Sequence, residues 1–419
     1  MVAPLSILGV WAEEFEKYAA FPYGLAVLSG SSARKRDTLR QMNGEALQVA
    51  VVNYESAWRM EQDLAAWRPD LIIADEGHKI KTHNIAASKA MHRLGARAGY
   101  RLLLTGTPVT NKAIDVFSPY KFLNPAVFGQ SFYAFRSRYF DMTGYGNHTP
   151  VLKKSMEAEL TGKLHSIAYR ATKAECLDLP DTVDVIRQVD LEPAALRLYR
   201  GLVKESYAEL SGGKEVTAPN ILARLLRLSQ LTGGFLGGGD ASVVEPVSAA
   251  KLAALEDILD GAAAEGKKLV IIARFLPEIR AICKLLDRRG LGYACITGAV
   301  KDRDEEVSRF QTDPAVMAFV GQIATAGLGI TLTAASTMVF YSLDYSMSNF
   351  EQAKARIHRV GQRNLCTYLY LVARGTVDEK VLAALKSKAD LAKTLVDDYR
   401  SGKNPFAVEE ELCQKNYLR

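Results

Sequence analysis

Within the first 125 residues, short apolar runs at 24–28, 48–54, 71–75 and 101–105 alternate with stretches of helical spacing at 6–18, 34–42 and 86–94. Strands that are apolar throughout leave neither face in water, and strands separated by helices pair in parallel through crossovers. This pattern predicts a parallel sheet with helices on both faces. It recurs after residue 249, with strands expected at 268–273, 292–296, 316–320 and 337–341. The fold class is α/β, and 419 residues suffice for two such domains.

Between the two regions the pattern changes. From about residue 124 to 178 the pattern is irregular, aromatic and basic, with FYAFRSRYF at 132–140. A strand is expected at 183–191, then a helix entered through Pro193, a favoured first-turn residue, and a second helix at 220–232 stopped by Gly233-Gly234. The stretch GGGDASVVEPVS at 237–248 reads as a linker. The expected partition is therefore a first domain at 1–125, a helical insertion and linker at 126–248, a second domain at 249–395 and a charged tail at 396–419.

Composition excludes several classes. The five cysteines (Cys176, Cys283, Cys295, Cys366 and Cys413) are scattered and have no His at ligand spacing. They read as reduced thiols of a cytoplasmic protein, not as a structural zinc site or a disulfide framework. The N-terminal stretch has no basic leader, so no signal peptide is expected, and no apolar run is long enough to span a membrane. The net charge of +6 is mildly basic and permits nucleic-acid binding without demonstrating it.

Chemistry concentrates at three places. Asp75-Glu76-Gly77-His78 closes the apolar run 71–74. Ligands of a parallel sheet sit beyond the carboxyl ends of its strands, where one carboxylate can hold magnesium and its neighbour can activate water. A bare Asp-Glu pair after a strand usually just opens a solvated loop. Here a second apolar strand follows, ending in Thr105-Gly106-Thr107-Pro108, and brings small hydroxyl residues to the same edge. In the second region, ATAGLGITLTAAS at 324–336 supplies Gly327 and Gly329 for close backbone approach, and Thr325, Thr331 and Thr333 to bond phosphate oxygens. Gln352 to Gln362 read QAKARIHRVGQ. Arg356 and Arg359 share a face if this segment is helical, and paired guanidiniums can clamp charge on a transferred phosphoryl group. A lone His358 is more often structural than catalytic.

The stretch GAAAEGKK at 261–268 nearly fits a phosphate loop, but Lys268 stands where Ser or Thr is needed. Its lysines also follow a helix and enter a strand, the inverse of the anion-binding arrangement. It reads as a helix end and turn.

Taken in order, these segments resemble the Swi/Snf-type ATPases of helicase superfamily two. VAPLSILGVWAEEFEKY (2–18) is similar to motif Ia and VVNYES (51–56) to the next strand. DEGH is motif II and LLLTGTP (102–108) motif III. YRATKAECLDLP (169–180) is similar to the segment leading into the second lobe, with Ala171 where a second arginine often stands. KLVIIARF (268–275) resembles motif IV, 324–336 motif V and 352–362 motif VI.

The resemblance implies two RecA-like lobes with ATP between them, double-stranded DNA across both, and movement along DNA without classical strand separation. On matching positions Asp75 would hold Mg2+ and Glu76 would activate water. His78, Thr105, Gly106 and Thr107 would couple hydrolysis to lobe movement. Arg356 and Arg359 would reach the nucleotide, with Gln352, Gly327 and Gly329 beside it and Gln362 supporting motif VI. Thr331 and Thr333 would touch DNA phosphates.

One departure qualifies this. The family's phosphate loop lies upstream of motif Ia, whereas motif Ia here begins at Val2, and no G-x-x-x-x-G-K-[ST] occurs anywhere in the chain. The expectation is a first lobe truncated at its N-terminus, by a mis-called start or a fragmented gene, with apolar surface exposed and ATPase activity lost or incomplete. The alternative is a non-catalytic DNA-binding or regulatory remnant of such an ATPase.

Overall fold

The computed structural model describes residues 1–44, 46–106, 113–143, 149–169, 171, 173–211, 218–237, 244–298, 300, 303–326 and 329–387. The chain divides into two compact units, Met1–Ala171 and Thr172–Arg419.

In the first unit the described strands are β1 (Val2–Ala3), β2 (Tyr23–Val27), β3 (Leu47–Asn53), β4 (Leu71–Ala74) and β5 (Tyr100–Leu103). They form one parallel sheet in the order β2-β3-β1-β4-β5. Ala50 and Val52 of β3 pack on one face with Ile72, Met91, Leu94 and Phe122. Val49 and Val51 face the other way, toward Leu8, Trp11 and Phe15. Helices Leu8–Tyr18 and Ala86–Arg97 thus cover opposite faces, as the apolar runs predict.

β1 carries no readable periodicity because it has two residues, yet Val2 pairs with both Val52 and Ala74. Alongside it is a cavity of about 530 Å³, lined by Val2, Val49, Trp67, Ile72 and Leu94 among others. The edge strand β5 leaves Tyr100 and Leu102 exposed.

The described residues of the aromatic stretch form regular elements where the sequence pattern suggests irregular chain. They include helix Phe132–Tyr139 and an antiparallel pair, β6 (Phe140–Thr143) with β7 (Thr149–Leu152). Phe117, Tyr120, Phe128, Phe135 and Tyr139 form a core of their own.

The second unit begins its sheet with β8 (Thr182–Val189). A short antiparallel pair follows, β9 (Phe235–Gly237) with β10 (Val244–Pro246), flanking part of the expected linker. The remaining strands are β11 (Leu269–Ala273), β12 (Gly292–Ile296), β13 (Val316–Gln322), β14 (Thr337–Phe340) and β15 (Cys366–Ala373). The parallel order is β12-β13-β11-β14-β15-β8. β15 is a strand the sequence reading did not pick out. β8 pairs with it along its whole length, from Thr182 opposite Cys366 to Val189 opposite Ala373. β11 is buried on both faces, with Val270 and Ile272 in one core and Leu269, Ile271 and Ala273 in the other.

The rejected phosphate-loop lookalike has the expected form. Helix Ala250–Ala264 ends there, Gly266 turns with a positive φ of 62°, and β11 follows. The Lys268 ammonium donates to the carbonyls of Phe310 and Asp313, at 2.6 Å each.

Buried polar groups tie this unit together. The Lys251 ammonium lies 2.6 Å from Asp378 Oδ2 and donates to the Tyr341 carbonyl, while Thr232 donates to Asp378 Oδ1 at 2.7 Å. Nearby, the Glu278 carboxylate accepts from the Ser342 hydroxyl and from the backbone N–H groups of Arg274 and Phe275. Burial pushes the Glu278 carboxyl up to about 7, with Ser342, the backbone donors and Lys251 pulling the other way. A carboxyl that holds its proton more tightly folded than unfolded adds stability that is complete below its unfolded value and is lost as pH rises through about 7. Glu278→Gln should therefore lose less stability than the parent between pH 5 and pH 8, by on the order of 3 kcal/mol. Urea unfolding across that range checks this, and parallel profiles for the two proteins would contradict it.

Candidate functional site

The Asp-Glu-Gly-His segment sits where β4 ends. The Asp75 N–H continues the ladder by donating to the Val2 carbonyl at 2.8 Å, and the Tyr54 hydroxyl donates to the Asp75 carbonyl at 2.6 Å. Each carboxylate oxygen of Asp75 accepts one N–H: Oδ1 from Glu76 at 2.8 Å, Oδ2 from the Trp11 indole at 3.1 Å. Burial pushes the Asp75 carboxyl up, and these two donors pull it back.

Glu76 adopts a left-handed backbone, φ 48° and ψ 50°. Among the described residues Arg68 is the other non-glycine residue with positive φ. For an L-residue that conformation costs roughly 1–2 kcal/mol. It turns the chain sharply off β4 and brings Glu76 Oε2 to 3.1 Å from His78 Nδ1, outside hydrogen-bond alignment.

The next residue has to be glycine. A Cβ on Gly77 would stand 2.2 Å from Leu103 Cγ. The Gly77 N–H bonds the Leu104 carbonyl and the Leu104 N–H bonds the Ala74 carbonyl, each at 2.9 Å. The two expected motifs are thus stitched together. Thr105 is half-buried, Gly106 is open, and Thr107 lies outside the described residues.

These donors suit magnesium. The two N–H bonds orient the Asp75 carboxylate and leave a lone pair on each oxygen. Among the described residues no group of three or more His, Cys, Asp or Glu could cage a metal. Magnesium typically takes one or two carboxylates and completes its shell with water and phosphate oxygens.

In the second unit, helix Met347–Lys354 is capped by the Ser346 hydroxyl, which accepts from the Asn349 N–H at 3.3 Å. Gln352 lies on its last turn and donates to the Ser348 hydroxyl. The helix stops before the arginines, so Arg356 and Arg359 do not share a helical face. They converge through the chain that follows. Arg356 donates to the carbonyls of Gln352 (2.9 Å) and Ile330 (3.4 Å), and Arg359 to those of Ile330 (3.3 Å) and Gly329 (3.5 Å). Gly329 turns with φ 66°, whereas Gly327 lies outside the described residues.

Gln362 joins the two segments. Its amide donates to the carbonyls of Ala335 (2.8 Å), Ile357 (3.1 Å) and Thr333 (3.4 Å) and accepts from the N–H groups of Arg363 and Asn364. The Leu332 N–H bonds the Arg356 carbonyl at 2.9 Å. The Thr333 hydroxyl accepts from Gln311, and Thr331 is half-buried. His358 donates to the Pro180 carbonyl at 2.9 Å, a structural use. The sequence reading missed Trp11, Tyr54 and Gln311. Trp11 and Tyr54 left a signal, inside the motif Ia and VVNYES resemblances, and Gln311 left none.

A family model described as SNF2-related domain matches residues 1–232, more than half of the chain, and the helicase conserved C-terminal domain matches 250–361. The chain belongs to the SNF2-related family. Among its relatives, the DNA repair and recombination protein RDH54 of Saccharomyces cerevisiae (strain JAY291) is 26% identical over 100% of this chain and 48% of that protein. A RAD54-like DNA repair and recombination protein of Drosophila pseudoobscura pseudoobscura is 25% identical over 98% of this chain and 57% of that protein. The chain thus spans about half the length of these curated relatives. A solved Sulfolobus solfataricus SWI2/SNF2 ATPase core in complex with dsDNA is 25% identical, with a TM-score of 0.42 over 96% of this chain and 82% of that one. In this SNF2-related chain two matched regions carry the candidate groups, motif II in the first and the motif VI arginines in the second.

The Gly77 contact yields a direct test. Gly77→Ala should cost about 1–3 kcal/mol through overpacking against Leu103. Unfolding in denaturant measures it, and Leu103→Ala in the same chain should return part of the loss. No loss in the single variant would show that Leu103 yields freely.

Proposed function

We infer that this chain carries the ATP-hydrolysing and DNA-tracking chemistry of an SNF2-type translocase. The observation that carries the reading is the strand-end carboxylate pair: Asp75 held by two N–H donors, beside Glu76 in a left-handed turn. Asp75 holds the magnesium-facing position and Glu76 orients and deprotonates the attacking water. When bound, magnesium neutralises charge on the phosphate oxygens. Arg356 and Arg359 supply positive charge to the transferred phosphoryl group, and Gln352 and Gly329 support that edge. His78, Thr105, Gly106 and Thr107 transmit the state of the phosphate. Thr331 and Thr333 meet the backbone of duplex DNA. The relatives' names, which speak of DNA repair and recombination, and the net charge of +6 support DNA as the track.

A second reading is a DNA-binding or regulatory member of the family without turnover. ATP hydrolysis with and without duplex DNA separates the two. The polypeptide 1–419 should bind duplex DNA with an affinity that falls steeply with salt, and hydrolyse ATP only at background. If codons read in frame upstream encode a phosphate loop, the longer product should show DNA-stimulated turnover. Glu76→Gln should reduce that turnover by about 10²-fold or more, and Arg359→Ala by roughly 10³-fold. A longer product bearing the loop but giving no turnover would favour the second reading. Strong turnover by 1–419 itself, abolished in Glu76→Gln, would show that the loop is dispensable.

A further inference from the structure

Helix Leu276–Arg289 returns through the left-handed Gly290 into β12, an edge strand of the six-stranded sheet. Cys283 on that helix and Cys295 on that strand bring their Sγ atoms to 3.9 Å. Both residues are half-buried, within reach of small solutes. β12 is fixed at this point, since the Cys295 N–H donates to Glu306 Oε2 at 2.8 Å. Among the described residues no third His, Cys, Asp or Glu joins the pair in a group that could hold a metal.

The two thiols are unequal. Hydrogen bonds from the Cys295 thiol and the Tyr293 hydroxyl pull Cys283 below the usual thiol range, against its burial. Cys295 is pushed up by its bond to Cys283, by burial and by the charge on Cys283 and Glu306. Cys283 is therefore the readier of the two to react as a thiolate. The share of this effect that comes from Cys283 disappears once Cys283 has reacted, while burial and Glu306 remain.

We propose that Cys283 and Cys295 form a reversible disulfide under a mild two-electron oxidant of the peroxide class, fastening the helix to the edge strand. The Cys283 thiolate attacks one peroxide oxygen, an S–O bond forms as the O–O bond breaks, and hydroxide leaves. Cys295, losing its proton, attacks the Cys283 sulfur of the resulting sulfenic acid; the S–S bond forms as the S–O bond breaks. Two thiols and one hydrogen peroxide give one disulfide and two waters, and a dithiol reverses it by exchange. The remaining described cysteines do not compete for this partner. Cys176 is exposed, and Cys366 is buried with its thiol against the Ile357 and Asn364 carbonyls.

Hydrogen peroxide is the probe. The full chain is treated with one equivalent, blocked with a thiol alkylator, and mapped by peptide mass spectrometry without reduction. The expected product is lighter by two hydrogens, with the Cys283 and Cys295 peptides linked, and the link disappears after dithiothreitol. In Cys295→Ser, Cys283 should instead accumulate as sulfenic acid that a dimedone probe captures. Linking should also be about tenfold faster in the native chain than in guanidinium, because the fold sets the approach of the two sulfurs. Full alkylation of Cys295 at a dose that has oxidised Cys283, or equal rates in native and denatured chain, would overturn the proposal.

Discussion

The last peptide groups of a parallel strand have no neighbour to bond unless a loop turns back to meet them, and buried backbone groups are rarely left unpaired. That requirement shapes both candidate regions. Asp75, Gly77 and Leu104 spend their N–H groups joining the ends of β1, β4 and β5. In the second unit the Tyr341 N–H meets the Ile272 carbonyl, and the Arg274 N–H meets the Ser342 hydroxyl. Asp75 and Glu76 hang from a loop fixed in this way. Each such bond is worth only about 0.5–1.5 kcal/mol when made, but an unmade one costs roughly 1–3 kcal/mol. The loops are held mainly by what their release would expose.

Much of this is legible in the sequence. Apolar runs such as 71–75 and 316–320 mark strands because a doubly covered sheet demands them. The structure places β4 and β13 at those positions, within a residue or two at their ends. Two kinds of feature were not legible. β1 is too short to show a period, and β8 finds its partner β15 across nearly the whole second unit. Local pattern cannot announce a pairing between residues such as Asp184 and Tyr368. The arginine pair illustrates the same limit. Spacing of three suggests a helical face, whereas the helix ends at Lys354 and the pairing is produced by the Ile330 carbonyl, which both guanidiniums share.

The two units secure their loops differently. The first relies on shape, with Gly77 pressed against Leu103 and Glu76 accepting an unfavourable backbone. The second relies on buried polar side chains: Gln362 with five backbone partners, and Lys251 against Asp378. Buried ion pairs of this kind add little net stability, yet removing one partner strands the other. Substitutions in the first unit should therefore be felt through packing, and those in the second through orphaned polar groups.

The indole of Trp11 donates to the Asp75 carboxylate. Of the chain's three tryptophans, Trp67 bonds a backbone carbonyl and Trp58 is partly exposed. Trp11 alone among them touches an acidic side chain of motif II. An indole bonded to a carboxylate feels any change in that group's charge. A change of charge at Asp75 is therefore placed to alter the ultraviolet emission of Trp11 without an added dye.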